Sequence, residues 1–168
     1  GQYLAKVVIG SDSAEVPLTI IADPNYPVSQ SEYEAQFNFL RQAQAKFDEV
    51  IKAQKDMAEL KKQMTDLTGR WGKNTPKEVK EITDTLNKRM TAIEEALHQT
   101  KAKSGQDVLN FPIKLDDKLS SVYRVAATGN GAPGKQVLEA YEVVASQIDV
   151  QLAKLKEIMT TDMPKLNN

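Results

Sequence analysis

Apolar and polar residues follow two rhythms along this chain, and the change falls just after Asp23-Pro24. Upstream, YLAKVVIG and VPLTIIA are rich in β-branched residues and flank the short polar stretch SDSAE, which predicts a β-hairpin within residues 1–28. From Ser29 onward, apolar residues recur at steps of three and four almost to the end, the spacing of a buried helix face.

Ser29 opens the first helix and Glu32 completes an S-x-x-E capping box. Tyr33, Phe37, Leu40, Phe47, Val50, Ile51, Met57, Leu60, Met64 and Leu67 form its stripe, which Gly69 ends. A helix over residues 29–68 is roughly 57 Å long at about 1.5 Å per residue and needs equally long partners. Thr75, Pro76 and Glu78 supply an N-cap, a first-turn proline and a capping-box acid for a second helix over 76–103. Its stripe is Val79, Ile82, Leu86, Met90, Ile93 and Leu97, with Gly105 beyond its end. QDVLNFPI, broken by Pro112, reads as a connection in which Val108, Leu109 and Phe111 pack against the bundle end. Leu115, Leu119, Val122 and Ala126 mark a third helix over 114–128. Val137, Tyr141, Val144, Ile148, Leu152, Leu155 and Met159 mark a fourth over 133–162, closed by Pro164. The fold class predicted is mainly α: an antiparallel up-down four-helix bundle over 29–168, preceded by a β-hairpin that is the stub of a β-sandwich.

Composition narrows the functions open to such a bundle. The 22 basic and 23 acidic side chains nearly cancel, so no long-range field gathers nucleic acid or anionic lipid. The absence of cysteine removes disulfides, thiolate metal sites and thiol catalysis. The apolar runs near Val7–Ile9 and Leu18–Ala22 are far too short for a signal peptide or a spanning helix, so no membrane insertion is expected.

Two motifs imitate chemistry. In ATGNGAPGKQV, Gly129, Gly134 and Lys135 fall on the Walker A spacing, and Gly129, Gly131 and Gly134 on the dinucleotide fingerprint. Both need a strand running into the first glycine, whereas the preceding KLSSVYRVAA has helical spacing, and Gln136 stands where a magnesium-binding Ser or Thr belongs. A helix ending at Gly129, a turn, and Pro133 at the next helix start is the expectation. Glu95 and His98 form Glu-x-x-His on a helix, the ligand pair of di-iron bundles, but His98 is the only histidine. Leu97 on the stripe turns both to the flank, where a Glu94–His98 pair is the simpler reading. The carboxylate pairs Asp116–Asp117, Glu94–Glu95 and Glu139–Glu142 lie beside lysines on polar faces, and no nucleophile elbow accompanies the histidine. No catalytic, cofactor or metal residues are therefore expected.

Trp71, between glycines and flanked by Arg70 and Lys73, falls in the loop after the first helix. In an alternating bundle this loop lies at the same end as GNGAPGK, far from the hairpin. Two readings stand: the indole plugs the bundle end with its N–H on a helix carbonyl, or Arg70, Trp71, Lys73, Asn130 and Lys135 form an aromatic and cationic tip for a sugar or a protein.

An isolated two-stranded ribbon is marginal in water, so the chain reads as the tail of something larger, with Gly1 as a residue left by tag cleavage. GQYLAKVVIGSDSAEVPLTIIADPN, the helix start SEYEAQFNFLRQ and the closing VASQIDVQLAKLKEIMTTDMPKLN together resemble the C-terminal region of bacterial sortilin-like, BNR-repeat β-propeller proteins, usually labelled glycosyl hydrolases. Gly1, Tyr3, Pro17, Leu18, Asp23 and Pro24 carry the resemblance, and Leu166 and Asn167 fall at its end. It implies an exported, periplasmic or cell-surface location and a non-catalytic scaffold or interaction module. Its partners are then the parent's β-propeller and β-sandwich, another protein, or a glycan. The glycosidase label belongs to the absent propeller. Two alternatives are an accessory domain of a glycoside hydrolase whose catalytic site lies in that propeller, and a homo-oligomerisation bundle built on the long first helix.

Overall fold

The computed structural model describes residues 1–166, with side chains at all of these except 108, 165 and 166. Asn167 lies outside the described residues. The chain opens with strands β1 (Gln2–Ile9) and β2 (Asp12–Thr19), paired antiparallel from Gln2 opposite Thr19 to Ile9 opposite Asp12. SDSAE is therefore mostly strand rather than turn. The turn is Gly10-Ser11, with Gly10 at φ 60° and Ser11 at negative φ, the type II′ geometry that matches the twist of a hairpin. Asp23 then ends the ribbon: its Oδ1 accepts from the Asn25 N–H and side-chain amide, both at 2.9 Å, and its carbonyl accepts from the Tyr26 N–H at 3.1 Å.

Four long helices follow: α1 (Gln30–Trp71), α2 (Lys77–Leu97), α3 (Leu115–Thr128) and α4 (Lys135–Glu157). The mainly helical architecture with an N-terminal hairpin is the one the periodicity predicts. The Ser29–Glu32 capping box forms in both directions, with Glu32 N–H to Ser29 Oγ at 3.3 Å and Ser29 N–H to Glu32 Oε2 at 2.8 Å. The one proposed at Thr75 and Glu78 does not. The Thr75 hydroxyl instead donates to the carbonyls of Thr68, at 3.2 Å, and Gly72, at 2.8 Å, and so closes the end of α1. Helix α1 runs through Gly69, and α2 stops at Leu97 rather than near 103.

The directions of the helices differ from strict alternation. Lys61 of α1 pairs with Glu94 of α2 at 2.6 Å, and Gln36 near the start of α1 donates to the carbonyls of Ala126 and Gly129 at the end of α3, at 2.7 and 2.5 Å. Both α2 and α3 thus run antiparallel to α1. Helix α4 runs parallel to α1: Tyr141 Oη reaches the Gln42 carbonyl at 3.5 Å, and Lys46 pairs with Asp149 at 2.7 Å. The order is up, down, down, up, with α2 and α3 laid end to end along α1. Residues 98–114 join them without reversing the chain, because His98 Nδ1 lies 2.6 Å from Asp116 Oδ2 and the Gln99 amide donates to the Pro112 carbonyl at 2.8 Å. The reason is cover: α2 is half as long as α1, so a reversal after Leu97 would leave the other half of the α1 apolar face in water.

The core comprises Phe39, Ala43, Val50, Ala53, Met57 and Met64 of α1, Leu86, Met90, Ile93 and Leu97 of α2, Leu115, Leu119 and Ala126 of α3, and Tyr141, Val144, Ala145, Ile148, Leu155 and Ile158. Phe37 and Ile51, assigned to the buried stripe, are exposed; Phe39 is inside instead, edge-on to Tyr141 with ring centroids 5.3 Å apart. Met159 is likewise exposed and Ile158 buried. Past Glu157 the helix widens into a π stretch (Ile158–Asp162), the Met163 N–H bonding the Ile158 carbonyl. The wider turn makes room for Pro164, which sits inside the short helix α5 (Met163–Leu166) rather than closing α4. Leu109, expected inside, is 85% exposed because the 3₁₀ turn Asp107–Leu109 is organised by Asp107, whose carboxylate accepts from the N–H groups of Lys103 and Ser104 and from Ser104 Oγ. The side chain of Val108 lies outside the described residues; Phe111 is half-buried.

These carboxylates predict an acid limb. The Ser29 hydroxyl and then its N–H hold Glu32 below the usual carboxylate range, and the Lys103 and Ser104 N–H groups and the Ser104 hydroxyl do the same for Asp107. A lowered folded pKa contributes stability that is complete above the unfolded value of about 4 and is lost as pH falls through the folded one. Melting temperature measured against pH will therefore fall below about pH 4, and Glu32→Gln with Asp107→Asn will flatten that fall.

Candidate interaction site

The loop that imitates a phosphate cradle is the carbonyl end of a helix. Helix α3 runs into Gly129, whose φ of −86° and ψ of 162° are extended, and Gln36 occupies the carbonyls of Ala126 and Gly129. A phosphate cradle needs a strand running into its first glycine, and here that segment is helix α3. Gly131 has φ 114°, and a Cβ there would meet Val28 Cγ1 at 3.4 Å. Its role is to let the loop close on the start of α1. Gly131→Ala will therefore cost about 1–3 kcal/mol from backbone strain, read from urea denaturation.

His98 does not pair with Glu94. Its ring meets Asp116 at the α2–α3 joint, and Glu94 takes Lys61 across the α1–α2 contact, while Glu95, the other half of Glu-x-x-His, is exposed. Among the described residues, no group of three His, Cys, Asp or Glu could hold a metal ion. Asp117 accepts from the Lys114 N–H at 3.4 Å at the start of α3, and Glu139 lies 3.5 Å from Lys135. Between α1 and α4, burial disfavours the charge on Lys46, but Asp149 and Glu49, both at 2.7 Å, outweigh it and raise the Lys46 pKa. Burial raises the Tyr141 phenol beside it. These groups brace helices.

The five residues of the candidate tip, all exposed, do not form one site. Arg70 and Trp71 end α1, and Lys73 follows in the turn Gly72–Asn74. Asn130 and Lys135 flank the α3–α4 loop, which packs on Val28 at the start of α1. The 42 residues of α1 separate the two groups by about 60 Å. The separation follows from the order of directions: with α2 and α3 in series, the α3–α4 loop returns to the hairpin end. Trp71 is in the last turn of α1 rather than in a loop, and at 42% exposure it is no buried plug.

Exposed large hydrophobic side chains concentrate on the hairpin. Side chains alternate across it, placing Tyr3, Ala5, Val7, Ile9, Asp12, Ala14, Val16, Leu18 and Ile20 on one face, apolar except for Asp12 at its tip, and Gln2, Leu4, Lys6, Val8, Ser13, Glu15, Pro17 and Thr19 on the other. Every residue of both strands is exposed, with Val7 at 59%, Val16 at 61% and Ile9 at 76%. At its base the apolar face opens on a cleft of about 540 Å³ bordered by Tyr3, Ile20, Asp23, Tyr26, Tyr33 and Asn130. The ribbon was legible in the sequence; what it could not show is that no described residue of the bundle covers its apolar face.

Among the described residues, no helix is long and apolar enough to cross a membrane. No family model, no curated protein and no solved structure matches this chain.

Proposed function

We propose that this chain is a non-catalytic interaction module of a larger exported β-propeller protein, in which the hairpin docks and the bundle serves as a rigid scaffold. The observation that carries the docking role is the uncovered apolar face of the ribbon. Contiguous apolar surface of this kind marks interaction sites in soluble proteins. The propeller and the exported location come from the sequence resemblance alone. A photo-crosslinking residue placed at Val7, with one at Val143 on the outer face of α4 as control, tests the reading in cells that make the protein. Crosslinks from Val7 into a β-propeller or β-sandwich segment are expected. Crosslinks only from Val143, or none, would reject it.

A second reading, an accessory domain of a glycoside hydrolase, draws support from the cleft, where the tyrosines 3, 26 and 33 stand beside Asp23 and Asn130. Aromatic bodies beside polar hydrogen-bonding tips suit a sugar's apolar faces and hydroxyls. Binding on a glycan panel that is lost in Tyr33→Ala would favour it.

A further inference from the structure

The ribbon has two open edges, and they are not equivalent. Gly1 and Ile20 exchange backbone hydrogen bonds in both directions, the Ile20 N–H reaching the Gly1 carbonyl at 2.9 Å. In an antiparallel pair, hydrogen-bonded and non-hydrogen-bonded positions alternate. The register therefore makes Tyr3–Leu18, Ala5–Val16, Val7–Ala14 and Ile9–Asp12 the bonded pairs. At the intervening positions the N–H and C=O groups point outward, to the edges. On β1 these belong to Gln2, Leu4, Lys6 and Val8, and all four have an N–H. On β2 they belong to Ser13, Glu15, Pro17 and Thr19, and Pro17 removes one donor from the middle of the row. Lys6, whose charge could repel an added strand, is instead drawn across the ribbon to Glu15 at 3.1 Å.

We infer that β1 is a strand-acceptor edge, which takes an extended segment of a β-rich partner, while Pro17 closes β2 to pairing. This rests on the reading of the hairpin as the docking element and names its partner's chemistry. Laid face to face, a second copy would bury the apolar face alone and leave both β1 edges unpaired. The apolar face is about 27 Å long and about 10 Å wide, roughly 260 Å². A standard interface buries about 800 Å² on each side. Two copies paired through β1 would leave both apolar faces in water. A sheet that adds a strand at β1 and lays its own apolar layer over Val7, Val16 and Leu18 satisfies edge and face together. The one charged side chain on that face is Asp12, opposite Ile9 at the tip, so the layer over Val7, Val16 and Leu18 is uncharged.

Amide hydrogen exchange by NMR on the full chain tests this, using a capped peptide of alternating valine and threonine as the strand probe. The peptide should slow exchange at Gln2, Leu4, Lys6 and Val8 and leave Ser13, Glu15 and Thr19 unchanged. Leu4→Pro removes one outward N–H without touching a bonded pair, as Pro17 does opposite it. It should weaken the peptide at least about tenfold while the Tyr3, Ala5, Val7 and Ile9 amides keep their protection. Pro17→Thr should open the second edge and bring protection to Ser13 and Glu15. Protection at β2 in the unaltered chain, no protection at either edge, or a dimer that Leu4→Pro dissolves would each overturn the assignment. If crosslinks from Val7 into a β-rich segment survive Leu4→Pro undiminished, the ribbon docks by its face and only the edge assignment falls. If Val7 yields no crosslink, the docking reading itself fails.

Discussion

Leu119→Ala will lower the unfolding free energy by about 2–5 kcal/mol, a large share of the roughly 5–15 kcal/mol that holds a domain folded. Leu119 is fully buried on α3, the helix that covers the half of α1 that α2 does not reach. Truncating it removes burial and leaves a cavity among side chains already closely packed. At roughly 2–4 °C per kcal/mol for a chain of this size, the melting temperature should fall by about 4–20 °C, read from the helical circular dichroism signal. Val125→Ala, on the same helix but 62% exposed, should change stability by no more than about 0.5 kcal/mol. Equal effects of the two would show that α3 is not docked along α1.

Val7→Lys with Val16→Lys will have the opposite profile, leaving bundle stability unchanged and abolishing docking. Both side chains stand on the uncovered face and touch no core residue of the bundle. In the docked state each would be desolvated, and burying a valine is worth about 1.5–3 kcal/mol. Two together should weaken association with a β-rich partner by more than about a hundredfold, before the cost of burying unpaired ammonium groups is added. Titration calorimetry against that partner, with a thermal melt of the free double variant, checks both halves. A large drop in melting temperature would mean that the ribbon is part of the folded core and is not a free docking element.

Local rules read much of this chain correctly. The Ser29–Glu32 box depends on residues three apart, and it formed as read. The stripe Leu86, Met90, Ile93 and Leu97 has one apolar face, so its inward side was unambiguous. Where two aromatic residues stood two positions apart, as at Phe37 and Phe39, the period admitted both, and the neighbouring Tyr141 ring decided. His98 is the same case. An intrahelical partner four residues away was the local choice, yet Asp116 took it once α3 was placed against the end of α2.

The sequence by itself determined which segments are helix and which are ribbon, the Ser29–Glu32 start of α1, and that the loop at Gly129 follows a helix, since each depends on neighbours within one or two turns. Only the tertiary structure decided that α2 and α3 run in series, that Trp71 and Asn130 lie at opposite ends, and that the ribbon's apolar face stays open. Those outcomes depend on how much of α1 each later helix covers. That is a property of packed lengths and directions, to which the spacing of residues within one segment is blind.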